Sequence, residues 1–238
     1  MSLQERLSDT GLDPLACLLW GISFSAFGLI MLNDQVHAEL MLLCVDGSRT
    51  ALAEGLAYLR LVQVALDFRA LAGGTLLMLI AMMTPALAGP LLHLWFRSLS
   101  RHRWRAITLF FLGYFMVWLS ACAMLFIVAL TLVSLTGSEM AAAGIALTAC
   151  LLWQSSALRA RCLTRCHLRP RLSIFGLMAL VDPLFFGVRH GFWCVTACWA
   201  LMLIPMCVAD WHVPLMLLAT VLVAYERTKE PARKSLFA

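Results

Sequence analysis

ITLFFLGYFMVWLSACAMLFIVALTLV, residues 107–133, decides the fold. It holds no charged residue and is longer than the roughly 20 residues that an α-helix needs to cross a hydrocarbon core. In lipid no water bonds to exposed N–H and C=O groups, so such a segment satisfies its backbone internally, as a helix. Similar runs lie on either side of it. They are Pro14–Leu32 and Leu71–Trp95 before it, then Ala141–Leu158, Phe192–Val208 and His212–Tyr225 after it. The last run is short and would tilt little or thin the bilayer locally. The pattern predicts an all-α, polytopic membrane helix bundle of six transmembrane helices, forming a single domain over residues 1–238.

Composition agrees with this reading. Of 238 residues, 62% are hydrophobic and 13% charged, with a mean hydropathy of +0.88. Soluble domains average about half apolar and about a quarter charged. A soluble core of this length could not hide that much apolar surface, so lipid covers part of it. The stretch Met1–Asp13 mixes Glu5, Arg6, Asp9 and Asp13 and lacks the basic start of a secretory signal. The first apolar run therefore reads as a retained helix.

The formal charge of +5 falls where membrane topology requires it. Arg97, Arg101, Arg103 and Arg105 follow the second run. Arg159, Arg161, Arg165, Arg169 and Arg171 follow the fourth, and Arg227, Lys229, Arg233 and Lys234 the sixth. The third-to-fourth and fifth-to-sixth connections carry no Lys or Arg. Basic residues are retained on the cytoplasmic side, so the alternation predicts cytoplasmic N- and C-termini and an external Asn33–Ala70 loop. It also accounts for the positive charge without nucleic acid.

Two stretches fit no simple span. Ala51–Arg69 places Leu52, Leu56, Leu59 and Leu66 apart from Arg60, Gln63 and Asp67, which predicts an external amphipathic helix on the membrane surface. Leu172–Val188 is apolar but contains Asp182-Pro183. As a further span it would put the basic C-terminus outside, so it reads as an interfacial or re-entrant segment on the cytoplasmic side.

The chain has nine cysteines. Cys162 and Cys166 are four apart at the end of the fourth run, and Cys194 and Cys198 are four apart at the start of the fifth. Residues four apart share a helix face, so four soft sulfurs are expected at one membrane level. His190, Cys194, Cys198, Met202 and Met206 continue in steps of four as one slowly winding stripe. Met78, Met82 and Met83 lie near the middle of the second run. Thiolate and thioether ligands select Cu(I) among metals. The spacing Cys-x-x-x-Cys is wider than that of zinc ribbons and redox dithiols. The competing account is packing, since Cys and Met both fill gaps between helices. It suffices for Cys17, Cys44, Cys122, Cys150 and Cys207.

Polar residues within the runs are few. Gln154 suits a helix–helix hydrogen bond and Glu226 an interfacial pairing with nearby bases. No phosphate-binding glycine loop, HExxH helix, nucleophile elbow or nucleotide fingerprint is present. The sequence points to a protein that is not an enzyme.

Several segments carry a resemblance. AMMTPALAGP (81–90), GYFMVWLS (113–120), WQSSALRARCLTRCHLRP (153–170), RHGFWCVTACWALM (189–202) and YERTKEP (225–231) resemble a bacterial family of uncharacterised "predicted metal-binding integral membrane proteins". The resemblance covers about half the chain. It implies roles for Met82, Met83, Gln154, Cys162, Cys166, His190, Cys194, Cys198, Met202 and Glu226, and residence in the bacterial inner membrane. The chain departs from the family pattern at Ala197, where a second cysteine is usual.

Together these readings predict a multi-pass membrane protein that binds a soft metal ion, copper first, for transport or delivery. The expected metal residues are Cys162, Cys166, His190, Cys194, Cys198, Met202, Met82 and Met83. Its partners would be the lipid bilayer and either other membrane subunits or a metallochaperone. The alternative is an assembly factor or accessory subunit of a larger membrane complex. A thiol–disulfide protein is disfavoured, because the paired cysteines would face a reducing compartment.

Overall fold

A computed structural model describes residues 14–32, 68–170, 172–173, 176, 178–208 and 211–229. Helix α1 is Pro14–Leu32, opened by a proline whose missing N–H costs nothing at a first helical position. Helix α2 is Phe68–Met83 and α3 is Ala88–Arg97, with a 3-10 turn at Thr84–Leu87 between them. Helix α4 is Arg103–Thr136, α5 is Glu139–Gln154 and α6 is Ala157–Cys166. Helix α7 is Met178–Cys207 and α8 is His212–Lys229. The described residues contain no strand.

Pro14–Leu32, Gly73–Arg97, Ser100–Thr136 and Met178–Cys207 are each long and apolar enough to cross a membrane. Helices α5 and α6 meet the same measure only as a pair, bent by 73°. The described residues thus make an all-helical membrane protein with four span-length helices among them, or five counting the bent pair. Helix α8 carries Glu226, Arg227 and Lys229 in its last turns and is not among them.

Three expectations are corrected. The run Leu71–Trp95 is not one continuous α-helix. Pro85 has no N–H and sits at the start of the 3-10 turn, and Thr84 Oγ1 donates back to the Ile80 carbonyl. The run Ala141–Leu158 also breaks, at Ser155-Ser156. Ser156 caps α6 by accepting the Arg159 N–H at 3.1 Å, so the helix restarts in a new direction. Finally, Leu172–Val188 is not a separate re-entrant element, because from Met178 onward it is the first part of α7. Pro183 lies near that helix's N-terminus, where few backbone bonds are lost, and Asp182 accepts the Ser173 N–H at 2.8 Å. The proposed amphipathic helix over Ala51–Arg69 lies outside the described residues up to Asp67, and its last two residues open α2.

Helix α7 sits at the centre, packed on α4, α5, α6 and α8, and its most extensive contact is with α4. Glycine makes that contact possible. A Cβ on Gly187 would stand 2.1 Å from the Phe110 carbonyl oxygen, and one on Gly113 2.4 Å from that of Leu184. Gly187 and Gly191 are four apart on one face of α7, the small-xxx-small arrangement that lets membrane helices touch backbone to backbone. Trp118, Tyr114 and Phe110 fill the seam from α4. Helix α1 is tied to α2 by Ser23, whose buried hydroxyl donates to the Ala81 carbonyl.

Candidate metal centre

The break before α6 and the length of α7 bring the cysteines together. On α6, Cys166 is buried and Cys162 half-buried one turn earlier. On α7, His190, Cys194, Cys198 and Met202 are all buried along one face. The Cys194 and Cys198 sulfurs hydrogen-bond to one another. The Tyr114 hydroxyl stands 3.4 Å from the Cys194 sulfur.

A cation completes the arrangement. Arg227 on α8 donates from Nη2 to the Cys194 sulfur at 2.8 Å. Its guanidinium also neighbours Cys166 and Cys198. One positive charge therefore sits among three thiol groups from two helices. Its Nε has no hydrogen-bond partner.

His190 lies beside this cluster. Its ring is 6.0 Å from Phe110, 5.9 Å from Tyr114 and 6.0 Å from Phe186, centroid to centroid. It bonds to the backbone of Cys166, and its Nε2 has no hydrogen-bond partner. Cys166 and His190 line a cavity of about 550 Å³, together with Arg227, His167 and Arg169. The cavity is walled by α1, the 3-10 turn, α3, the end of α6, α7 and α8.

These contacts run through the part of the chain that the family comparison covers. Residues 74–237 match the family PpoB2, described as a copper chaperone. The chain belongs to this copper chaperone family. The match starts inside α2 and takes in the whole cysteine cluster and Arg227, leaving out α1. No curated protein and no solved structure matches the chain.

For a member of a copper chaperone family the donor set is chemically apt. Cu(I) favours thiolate and thioether sulfur over oxygen. Among the described residues, however, no three Cys, His, Asp or Glu side chains converge closely enough to hold a metal ion. The guanidinium against Cys194 stands where a cation would approach that sulfur.

The remaining sequence candidates lie apart. Met202 is eight residues beyond Cys194, so about 12 Å along the helix axis, too far to share one ion with it. Met82 and Met83 are buried at the end of α2, against the 3-10 turn. Gln154 bonds to Cys150 rather than joining the cluster, and its Oε1 is otherwise without a partner. Glu226 pairs with Arg159 across α8 and α6. Sequence reasoning missed Arg227 and Tyr114. Arg227 read as one more cytoplasmic base, and nothing in its sequence position marked it as turning inward. Tyr114 lies in GYFMVWLS (113–120), where a hydroxyl within an apolar run was the available signal.

Proposed function

We propose that the chain is a membrane-embedded copper chaperone that takes Cu(I) on Cys166, Cys194 and Cys198 and passes it to a partner. The observation that carries this reading is the gathering of these cysteines around Arg227 within the region matched to a copper chaperone family. Copper would move by ligand exchange, each step making one Cu–S bond as another breaks. Small adjustments bring a further sulfur onto the ion, and Cys162 and Met202 are the nearest additional donors along α6 and α7. Met82, Met83 and His190 would complete the path. The protein acts without catalysis of its own, in a bacterial inner membrane with both termini cytoplasmic, beside a metallochaperone or a membrane subunit that receives the metal.

The test is elemental analysis of the purified protein loaded with Cu(I) under reducing conditions. Ser cannot imitate a thiolate for Cu(I). Cys166→Ser and Cys194→Ser should each lose most of the bound copper. Cys122→Ser and Cys150→Ser, on α4 and α5 away from the cluster, should keep it. Equal copper in all four variants, or none in the wild type, removes this reading. The cluster would then be packing in an accessory subunit of a larger membrane complex.

A further inference from the structure

The cavity beside Cys166 has an unbalanced lining. Among the described residues, Arg169, Arg227, His167 and His190 face it, and no Asp or Glu does. Glu226, the acid next in sequence to Arg227, is held by Arg159. The exposed Arg169 guanidinium lies over Gly89 at the start of α3, where a Cβ would stand 3.6 Å from its Nη2. His93 anchors the adjoining chain by bonding the Pro170 carbonyl at 3.0 Å. His190 is 3% exposed, and its Nε2 is unpartnered. Arg227 Nε–H is a buried donor without an acceptor. An unpaired buried donor on a cation, beside a cationic rim, calls for an acceptor with negative charge. A volume of about 550 Å³ suits a small molecule rather than a protein loop. Among the described residues, Cys166 is the one sulfur on the cavity wall.

We propose that this cavity receives copper as an anionic, low-molecular-mass thiolate complex of Cu(I), with Arg169 and Arg227 holding its carboxylates and Cys166 taking the metal. The inference rests on the copper reading above and names the chemical form of the donor. In the exchange the Cu–S bond to the carrier breaks as the Cu–S bond to Cys166 forms. The Cys166 proton passes to the departing thiolate. Copper stays monovalent and no electron moves.

The experiment compares initial rates of copper uptake by the full chain in detergent from three donors. These are the anionic glutathione complex of Cu(I), its complex with the cationic thiol cysteamine, and its acetonitrile complex. Arg169→Gln should slow uptake from the glutathione complex about tenfold, the worth of one hydrogen bond to a charged group. It should leave uptake from acetonitrile unchanged, and Arg169→Lys should restore most of the loss. S-methylglutathione, an anion without a free thiol, should slow uptake by the wild type from glutathione and not from acetonitrile. Equal rates from all donors in Arg169→Gln and wild type, with no competition by S-methylglutathione, overturn the proposal while leaving the copper reading intact. Failure of every donor to load the chain removes both. If bilayers containing phosphatidylglycerol abolish the advantage of the glutathione complex and phosphatidylcholine bilayers do not, the cavity belongs to a lipid headgroup and the proposal falls.

Discussion

Arg227 Nη2 lies 2.8 Å from the sulfur of Cys194, so a cation from the basic end of α8 is folded into the thiol cluster rather than left at the surface. That placement sets a charge balance. Two thiolates on one Cu(I) carry a net charge of minus one, and Arg227 cancels it. A buried charge without a partner costs several kcal/mol even after relaxation. Arg227→Gln should therefore weaken copper retention by at least about tenfold, with Arg227→Lys intermediate. Competition against a chromophoric Cu(I) chelator measures this. Wild-type retention in Arg227→Gln would show that the guanidinium takes no part in holding the metal.

The α4–α7 seam makes a sharp prediction about stability. At Gly187 a methyl group would land 2.1 Å from the Phe110 carbonyl oxygen, and that neighbour is backbone, which cannot rotate away. Gly187→Ala should destabilise the protein by about 3 kcal/mol or more, at the upper end of overpacking costs. Gly28→Ala on α1 meets nothing within 4 Å and should be neutral or stabilising by about 0.5–1 kcal/mol. Thermal unfolding of the two variants in the same detergent separates these outcomes.

Much of this architecture is legible in the residues. The charge-free run at 107–133 lies inside one α-helix, as its length requires. Cys162 and Cys166 share α6, while Cys194 and Cys198 share α7, as spacing in steps of four implies. What the sequence hides is geometry between elements. Hydropathy averages over Thr84-Pro85 and Ser155-Ser156 and so reads broken helices as single ones. Pro183 suggests a break, yet near a helix start it costs little, and α7 runs on through it. Arg227 is hardest to place. Basic residues at a membrane edge normally snorkel to water, and only tertiary contact with Cys194 shows that this one turns inward.

The pair Arg159–Glu226 joins α6 to α8 and steadies the helix that delivers Arg227. Its side chains are 10% and 29% exposed, between a buried and a surface pair. Arg159→Met leaves Glu226 without its partner and should cost about 1–3 kcal/mol, below the figure for a fully buried pair. Adding Glu226→Leu removes the stranded charge and should recover most of the loss. A double-mutant cycle on thermal stability in detergent tests it. Additive effects would mean that the two residues do not act as a pair.

The last prediction concerns orientation. Arg97, Arg101, Arg103 and Arg105 flank the link from α3 to α4. Arg159, Arg161, Arg165 and Arg169 cluster in and after α6. The α4–α5 connection, Gly137-Ser138, has no base. Positive residues resist export across a bilayer, so both basic clusters should face the cytoplasm and Gly137 the outside. The C-terminal bases, Arg227 to Lys234, then require α8 to end on the cytoplasmic side. Reporter fusions at Ala238 and at Arg49 should accordingly report opposite sides, cytoplasmic and external. A C-terminus found outside would mean that α8 crosses in the other sense or does not cross at all. The cavity beside Cys166 would still face the side where α6 ends. Cysteine accessibility at Cys162, probed with an impermeant maleimide from each side, would then assign the face from which copper enters.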